Sequence, residues 1–409
     1  MPTSLTRALL IGLVLLAARL PAQSTAPAVR PGITVLVTDS IHLIRGKRVG
    51  LITNHTGRDA AGVSSIDLLA RAPGVRLTAL YGPEHGLRGV AEAGEHVASS
   101  VDSATGVQVF SLYGATRAPT AEMLAGIDVL VYDIQDVGSR TYTYPWTMAL
   151  SADAAGKRGI PFIVCDRPVP VRGDVTAGAI LDTAYRSFIG QYPVALRYAL
   201  TPAELLRHLV RTGQVHATVQ VAPLQGWRRS MWYDETGLPW IAPSPNLKSL
   251  DAALLYTGTV FVEGTNMSEG RGTDAPFQLV GAPWLTDAGR IASELNALRL
   301  PGVRFDSVTR AIAKGQKHGE LTIPMVYVAV TDRNAIDPVR VGVELLASIQ
   351  RRHPRDLTWR DAFLAKLAGT TALRRAIPGT PRARTALLAS WRAQAARFAT
   401  SSQPDLLYR

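Results

Sequence analysis

The chain beyond residue 45 alternates between short apolar runs and longer segments of mixed polarity. Five apolar runs predict strands, at residues 47–53, 75–82, 107–114, 128–134 and 160–166. The segments 64–72 and 141–159 predict helices, the second beginning at or after Pro145 because proline is tolerated only in the first helical turn. A short segment, 120–127, predicts a helix capped by Thr120. Strands and helices alternating at this spacing predict an α/β fold with a parallel sheet covered on both faces.

Polar residues follow four of the predicted strands directly. They are Asn54 and His55, then Glu84 and His85, then Asp133, Asp136 and Arg140, and finally Asp166 and Arg167. Ligands of open parallel sheets bind outside the carboxyl ends of the strands. Taken singly, His55 is typical of a loop, and Asp133 of an acid that holds a neighbouring loop. Their coincidence at one edge of the sheet predicts a site there, with Glu84 and His85 in it.

The segment 256–277, "YTGTVFVEGTNMSEGRGTDAPF", is predicted to begin as a strand and to continue as a polar loop. The loop carries Glu263, Asn266, Glu269, Arg271 and Asp274 among glycines, which let a backbone approach a ligand closely. The structural alternative is a tightly hydrogen-bonded Ω-loop. "NMSEG" lacks the first glycine of a nucleophile elbow, and "EGRGTD" lacks the third glycine of a dinucleotide fingerprint.

A further segment, 224–246, is rich in tryptophan and proline and lacks regular periodicity. Exposed aromatic rings in a loop are a usual platform for the faces of sugars. The alternative is that Trp227, Trp232 and Trp240 fill the core beneath a long loop. The sequence leaves both interpretations open.

Composition and charge narrow the class of protein. A chain of 409 residues suggests two domains, or one large domain with an appendage, and 47% apolar residues suffice for a packed core. The net charge of +12 comes from scattered arginines without basic runs, which argues against a nucleic-acid partner. Genome composition can explain this excess, and attraction to an anionic cell-wall polymer is the functional alternative. Cys165 is the single cysteine, so the chain has no internal disulfide.

The first 23 residues are typical of a cleaved signal peptide, with Arg7, an apolar stretch from Ala8 to Ala18 and small residues near Ala22. The apolar stretch is shorter than the roughly 20 residues that span a bilayer. An uncleaved membrane anchor is the alternative. We therefore expect an exported protein, periplasmic or extracellular, without stable membrane insertion after cleavage.

Five long motifs occur in a fixed order along the chain. They are "GLITNHTG", "YGPEHGLRG", "DVLVYDIQDVGSRTYTY", "GWRRSMWYDETGLPWIAPSPN" and "FVEGTNMSEGRGTDAPF". Together they resemble the bacterial exo-β-N-acetylmuramidases of the NamZ type, over a stretch from about residue 35 to the C-terminal "LLYR". One departure is Val169 in "DRPVP", where the family more often has asparagine. Another is the segment 317–333, expected to lie further from the chemistry.

The resemblance implies a Rossmann-like α/β domain over residues 30–255 and a smaller α/β domain over 256–409, with the active cleft between them. It also implies an exo-acting glycoside hydrolase that removes N-acetylmuramic acid from the non-reducing end of peptidoglycan fragments. Muramyl glycans are then the partner, and no cofactor or metal is required. Glu84 matches the acid considered essential in the family.

Glycoside hydrolysis usually needs two carboxyl groups, one to protonate the leaving oxygen and one to assist the oxocarbenium-like centre. We expect Glu84 to be the general acid, with His85 beside it to tune its pKa. Glu269 is the first choice for the second carboxylate, and Glu263, Asp133 and Asp136 follow.

Other residues of the motifs are candidates for holding the sugar. Arg88, Arg140 and Arg271 suit the lactyl carboxylate, since a guanidinium fork matches a carboxylate. Asn54 and Asn266 suit hydroxyl or acetamido groups. Tyr142 and Asp166 complete the predicted substrate-binding set.

Two further function classes stay open from the sequence alone. One is an exported metal-dependent amidase or esterase on a similar sheet, and the other is a non-catalytic protein that binds wall glycans. Within the glycosidase hypothesis, a carboxyl separation of about 5–5.5 Å predicts a retaining nucleophile, and about 6.5–9.5 Å an inverting base. Attack by the substrate's own acetamido group is the third route.

Overall fold

The structure is a computed structural model that describes residues 29–87 and 100–409. The strands are β1 (Arg48–Thr53), β2 (Arg76–Gly82), β3 (Ser100–Val101), β4 (Gln108–Ser111), β5 (Val129–Asp133), β6 (Phe162–Cys165), β7 (Ala177–Ile180), β8 (Ala195–Arg197), β9 (Val219–Ala222), β10 (Leu279–Gly281), β11 (Val303–Ala311) and β12 (Thr322–Val330). The helices are α1 (Gly32–Val37), α2 (Ser65–Arg71), α3 (Tyr144–Gly156), α4 (Pro202–Arg211), α5 (Leu250–Thr259), α6 (Ala288–Ala297), α7 (Pro338–Arg352), α8 (Asp361–Ala368), α9 (Ala372–Ala376) and α10 (Pro381–Ser402). The predicted signal peptide and Arg88 lie outside the described residues.

The first part of the chain forms a seven-stranded sheet in the order β3-β4-β2-β1-β5-β6-β9. All neighbouring strands are parallel except β3 and β4. The chain builds outward from β1 in one direction and then returns to build outward from β5 in the other. Ligands of such sheets bind near this reversal of strand order, at the carboxyl ends.

Both faces of this sheet are buried, which explains why its strands consist of nearly continuous apolar residues. Val129 and Val131 of β5 pack into one core cluster with residues of α1 and α2. Leu130 and Tyr132 point to the other face and join a larger cluster that continues into the C-terminal part of the chain. The same sheet therefore anchors the C-terminal part, taken here as everything from α5 onward.

The C-terminal part is a smaller α/β unit around the antiparallel sheet β10-β12-β11. Helix α6 packs on this sheet, and α7 packs on both α5 and α6. The predicted fold class, a Rossmann-like parallel sheet followed by a smaller α/β unit, is confirmed. The predicted boundary near residue 255 stays a prediction; that position falls inside α5.

The predicted strands and helices of the first part are present, with one exception. Residues 121–126 form consecutive turns rather than a helix, although Thr120 accepts a hydrogen bond from the Met123 amide as a cap would. The segment is short, and it ends at Gly126, whose φ of 75° is left-handed. Too few residues remain for helical hydrogen bonds to offset the unfavourable free energy of helix nucleation.

The expected strand at the start of 256–277 is wrong, because Tyr256 to Thr259 are the last turn of α5 and a 3-10 helix follows over Val260–Gly264. The segment is β-branched and buried on all sides, so it lacks the amphipathic period by which helices are recognised. Gly258 allows the helix crossing, because a Cβ there would lie 1.8 Å from the carbonyl oxygen of Pro338 on α7. Tertiary packing has overridden local preference.

Within the described residues, none of the helices is both long enough and apolar enough to cross a membrane.

Candidate active site

An open cavity of about 530 Å³ lies between the two parts of the chain, beside the carboxyl ends of β2, β4 and β5. The first part lines it chiefly with Glu84, His85, Tyr113, Arg117, Tyr142 and Thr143. The C-terminal part contributes Tyr256, Glu263, Arg271, Phe277, Phe363 and Lys366. The cavity has the size of a small-molecule or sugar site, and both parts are needed to form it.

Glu84 reaches the cavity because β2 ends in a tight turn at Gly82. The amide of Gly86 donates to the carbonyl of Pro83 at 2.9 Å, and His85 and Gly86 both have left-handed φ angles, 69° and 68°. A left-handed backbone conformation costs free energy in a residue other than glycine, so it is found only where the surrounding structure enforces it. The turn directs Glu84 and His85 into the same cavity, where both are buried.

The Glu84 carboxylate is held by the start of the next helix. Thr143 Oγ1 donates to Glu84 Oε2 at 2.6 Å, so this hydroxyl does not cap its own helix α3. The ring of His85 packs edge-on against Tyr144, with 6.5 Å between ring centroids. Burial raises the pKa of the tyrosines at positions 142, 144 and 256, and the Glu84 charge adds to that rise. Their hydroxyls therefore stay protonated around Glu84.

Arg271, on the other wall, is held between two carboxylates. Arg271 Nη2 donates to Glu263 Oε1 at 3.0 Å, and Nε donates to Glu269 Oε1 at 2.8 Å. Glu269 also accepts from Lys317 Nζ at 3.3 Å. Burial raises the pKa of Glu263 above its ordinary value, and Arg271 opposes that rise. Glu263 and Arg271 line the cavity, whereas Glu269 lies behind them, 4% exposed and outside its lining.

Aromatic rings connect the Glu84 wall to the Glu263 wall. The rings of Tyr142 and Tyr256 meet edge-on at 6.1 Å between centroids, and Tyr256 meets Phe277 at 4.8 Å. The guanidinium of Arg271 lies 5.1 Å from the centre of the Phe277 ring. The cavity therefore combines flat apolar surfaces with carboxyl groups, the usual surroundings of a bound sugar ring.

Three acids predicted from the strand ends are engaged within the fold. Asp133 is fully buried and accepts from Arg167 Nε at 2.6 Å and from the Ser65 hydroxyl. Asp136 accepts from the Tyr198 hydroxyl and from the amide of Gly138. None of these side chains is part of the cavity lining.

Asp166 is the third of these acids. It accepts from Tyr408 at the C-terminus at 2.6 Å and from Thr201 at 2.7 Å. Burial raises the pKa of Asp166 to about 7 and that of Asp136 to about 6. Both carboxyl groups lie outside the cavity lining and join loops and chain ends to the sheet.

Arg140 joins the two parts of the chain beneath the cavity. It is fully buried, and its Nη2 and Nη1 donate to the carbonyls of Leu367 and Lys366 in the last turn of α8, at 3.2 and 3.5 Å. Burial lowers the pKa of Arg140 to about 9. Gly369 leaves room for the guanidinium, because a Cβ there would lie 2.8 Å from Arg140 Nη2. Arg140 thus holds a helix that lines the cavity but does not line it itself.

The two predicted asparagines also make local contacts. Asn54 Oδ1 accepts from the amide and the hydroxyl of Thr56, at 2.9 and 2.6 Å, which closes the turn after β1. Asn266 Oδ1 accepts from the amide of Thr358, and its Nδ2 donates to the carbonyl of Asp356. Neither lines the cavity, whereas Tyr142 does.

The tryptophans of the loop 224–246 pack as core residues. Trp227 and Trp232 are 5% and 3% exposed, and Trp240 packs partly buried against the same core. None of them lines the cavity, so the interpretation as a sugar platform does not describe their position. Val169 is likewise buried in the core.

Several cavity residues carry no signal in the sequence. Tyr113, Arg117, Arg186, Phe188, Phe363 and Lys366 line the cavity from three separate segments outside the quoted motifs. Lys317 carries no signal either, because the sequence predicts that the segment 317–333 lies away from the chemistry, yet this lysine donates to Glu269. Only the three-dimensional arrangement brings these residues to one place.

The described residues contain no group of three or more histidine, cysteine, aspartate or glutamate side chains placed to hold a metal ion. His55, the remaining strand-end histidine, instead bonds through Nε2 to the carbonyl of Ala242 at 2.8 Å. Burial lowers the pKa of His55.

Carboxyl groups line both walls of this aromatic cavity, and a pair of carboxyl groups is what most glycoside hydrolases use. Residues 49–251 and 254–408 match the N- and C-terminal domains of the exo-β-N-acetylmuramidase NamZ. The peptidoglycan β-N-acetylmuramidase NamZ of Bacillus subtilis is 42% identical over 349 residues, 85% of this chain and 84% of that protein. The chain belongs to the NamZ exo-β-N-acetylmuramidase family, and it is a glycoside hydrolase.

Solved structures of two DUF1343 family proteins from Bacteroides fragilis have the same fold. The first has a TM-score of 0.86 and 35% identity and covers 93% of this chain and 99% of its own. The second has a TM-score of 0.73 and 26% identity with the same coverage. Both structures therefore share the fold of this chain over 93% of its length.

Proposed function

We propose that this enzyme releases N-acetylmuramic acid from the non-reducing end of peptidoglycan-derived glycans, with Glu84 as the general acid. The observation that carries the proposal is the cavity itself, which Glu84 lines from the first part of the chain and Glu263 from the C-terminal part. The identity of the Bacillus subtilis relative supports the choice of substrate.

The proposed reaction begins with Glu84 protonated. Its carboxyl proton passes to the glycosidic oxygen as the bond from that oxygen to the anomeric carbon breaks, and the bonding electrons leave with the oxygen. Water finally adds to the anomeric carbon and returns a proton to a carboxylate. Proton donation of this kind contributes about 10²–10⁴-fold to the rate.

We propose Glu263, rather than Glu269, as the second carboxyl group. Glu263 lines the cavity and has one contact to Arg271, whereas Glu269 is held by Arg271 and Lys317 behind the wall. Asp133 and Asp136 are engaged with residues of the fold outside the cavity. Of the carboxylates considered as partners of Glu84, Glu263 is the one that lines the cavity.

Glu263 has a role in each of the three open routes. As a nucleophile it would give net retention, as a base for water it would give inversion, and it would orient the acetamido group in a substrate-assisted reaction. Proton NMR of the first sugar released separates inversion from the other two. A thiazoline analogue, which mimics the cyclised acetamido intermediate, separates those two by selective inhibition.

Arg271 is our candidate for binding the lactyl carboxylate that distinguishes muramic acid from N-acetylglucosamine. Its Nε and Nη2 donate to Glu269 and Glu263, and the side chain, 20% exposed, lines the cavity. We expect Arg271→Ala to reduce the preference for a terminal muramic acid by about ten- to a hundredfold, the scale of a charge-assisted hydrogen bond.

The measurement is the ratio of kcat/KM for aryl β-glycosides of the two sugars. Arg290→Ala, an exposed arginine on α6 outside the cavity, is the matched control and should keep the wild-type ratio. Equal rates on the two sugars in the wild-type enzyme would exclude this contact.

The proposal as a whole is tested with the disaccharide N-acetylmuramyl-β-1,4-N-acetylglucosamine. We expect both free sugars to be released, which chromatography measures. We also expect the activity to survive addition of a chelator. Activity lost to a chelator and restored by a divalent ion would instead favour a metal-dependent hydrolase. Tight binding without turnover would favour a glycan-binding protein.

We also propose that the enzyme is exported and trimmed near Ala22 or Gln23. The support is the pattern of the first 23 residues, a basic start, an apolar stretch and small residues. Mass spectrometry of the protein from its native cell should find an N-terminus near this position in the periplasm or medium. A full-length N-terminus in the cytosol would contradict export.

A further inference from the structure

The mouth of the cavity carries positive charge that the proposed bond cleavage does not use. Arg117, Arg186 and Lys366 line the cavity and are exposed, whereas Glu84 and His85 are buried within it. We call these three cations the outer rim. Among the residues that the structure describes, no carboxylate oxygen lies within 4.0 Å, the distance limit for an ion pair, of a nitrogen of these three side chains.

The outer rim is assembled from three distant segments. Arg117 follows β4, Arg186 precedes a tight turn in which Ser187 and Gly190 exchange backbone hydrogen bonds, and Lys366 lies in the last turn of α8. The carbonyl of Lys366 accepts from the buried Arg140, which holds this end of α8 in place. The position of Lys366 is therefore set by packing between the two parts of the chain.

Aromatic rings orient two of these cations. The guanidinium of Arg117 lies 4.7 Å from the centre of the Phe188 ring, and Phe188 packs against Tyr113 at 6.0 Å between centroids. Arg186 lies 5.8 Å from the centre of the Tyr192 ring. A guanidinium stacked on a ring keeps its N–H groups available for an anion. The rim thus presents oriented donors above an aromatic surface.

We infer that the outer rim binds a carboxylate carried on the leaving-group side of the cleaved bond, at the muramic acid unit beyond the first N-acetylglucosamine. The inference rests on the proposed function. The terminal sugar occupies the buried end near Glu84 and Glu263, so the rest of the glycan leaves through the mouth. Peptidoglycan carries a lactyl group on every second sugar, so the first negative charge outside the cavity belongs to that unit.

The carboxylate has two possible sources with the same chemistry. It is the free lactyl carboxylate of a glycan without peptide, or a carboxylate of the stem peptide attached to that lactyl group. Either source makes the enzyme favour a chain of at least three sugars over the disaccharide. Since exposed ion pairs are weak, we expect about two- to fivefold from each cation and about tenfold or more from all three.

The measured quantity is the ratio of kcat/KM for the tetrasaccharide of two muramyl–glucosaminyl repeats to that for the disaccharide. This ratio cancels differences in folded fraction and in the chemical step. The same tetrasaccharide with its inner lactyl carboxyl converted to an amide removes the charge alone. A version with a stem peptide on the inner unit separates the two sources of carboxylate.

The test variant combines Arg117→Ala, Arg186→Ala and Lys366→Ala. The control variant combines Arg290→Ala, Arg355→Ala and Arg382→Ala, which removes the same charge from exposed positions outside the cavity. We expect a wild-type ratio of about ten, a ratio near one for the rim variant, and the wild-type ratio for the control. Salt should also lower the wild-type ratio, because it screens exposed charges.

A wild-type ratio near one overturns the inference, as does an equal ratio for the amide. A control variant that loses the ratio as the rim variant does would assign the effect to net charge, and also overturns it. If no substrate releases muramic acid, the proposed function fails separately. Calorimetric binding of the tetrasaccharide and its amide to the Glu84→Gln variant then decides the inference, and equal affinities would reject it.

Discussion

Replacing Glu84 with glutamine should lower kcat for the muramyl disaccharide by at least about a hundredfold, the scale usual for loss of a general acid. Glutamine keeps the size of the side chain and its contact with the Thr143 hydroxyl, which donates to Glu84 Oε2 at 2.6 Å. What it removes is the proton for the leaving oxygen. Steady-state release of N-acetylmuramic acid is the measurement.

The choice of leaving group makes this test specific. In an aryl glycoside of an acidic phenol, the phenolate leaves without being protonated. The Glu84→Gln variant should therefore lose much less kcat on this substrate than on the disaccharide. Glu235→Gln, an exposed glutamate away from the cavity, is the matched control and should change neither rate. Near-wild-type turnover of the disaccharide, or the same loss on both substrates, would mean that the acid is another residue.

The position of Glu84 could be predicted from the sequence because it depends on a local rule. An apolar strand followed by a turn rich in proline and glycine places the next polar residues at the edge of a parallel sheet. The structure shows the same turn, with left-handed φ angles at His85 and Gly86 that force the reversal. Glu84 and His85 line the cavity at the carboxyl end of β2, as the coincidence of polar residues at successive strand ends predicts.

The same rule over-predicted the site at the neighbouring strands. A polar residue at a strand end faces the ligand or bonds with the next loop, and local sequence does not distinguish these outcomes. Asp133 faces Arg167 and Asp166 faces Tyr408, a partner 242 residues along the chain. Such contacts depend on long-range packing, which one sequence does not reveal. The roles assigned to the site residues stay predictions.

The C-terminal wall was harder to predict for a different reason. Residues 252–262, which span the end of α5 and the start of the 3-10 helix, are buried on all sides, so the threonines, glycine and valines of 257–262 favour a strand in the sequence. The polar loop after it was recognised, but the division of labour between Glu263 and Glu269 depends on which side chain turns toward the cavity. Lys317, which reaches Glu269 from a distant loop, contributes to that outcome and has no motif.

Replacing Glu263 with glutamine should also lower kcat by about a hundredfold or more, as expected for loss of the carboxyl group that assists the anomeric centre. Here the loss should be as large on an activated aryl glycoside as on the disaccharide, because this group does not protonate the leaving oxygen. Glu269→Gln is the matched control. It removes a negative charge that lies beside Arg271 and Lys317 behind the wall, so its effect on kcat should be much smaller.

The pH dependence gives this prediction a second readout. Burial raises the pKa of Glu263, and the positive charge of Arg271 opposes that rise. If Glu263 acts in its ionised form, activity must increase as pH rises through that pKa, so the acidic limb of kcat/KM lies above the ordinary glutamate value of about 4.3. Arg271→Ala removes the opposing charge and should move the limb to still higher pH. In Glu263→Gln the limb should be absent from the residual activity. An unchanged limb in Glu263→Gln, or a larger loss of kcat in Glu269→Gln, would transfer the role of second carboxyl group to Glu269.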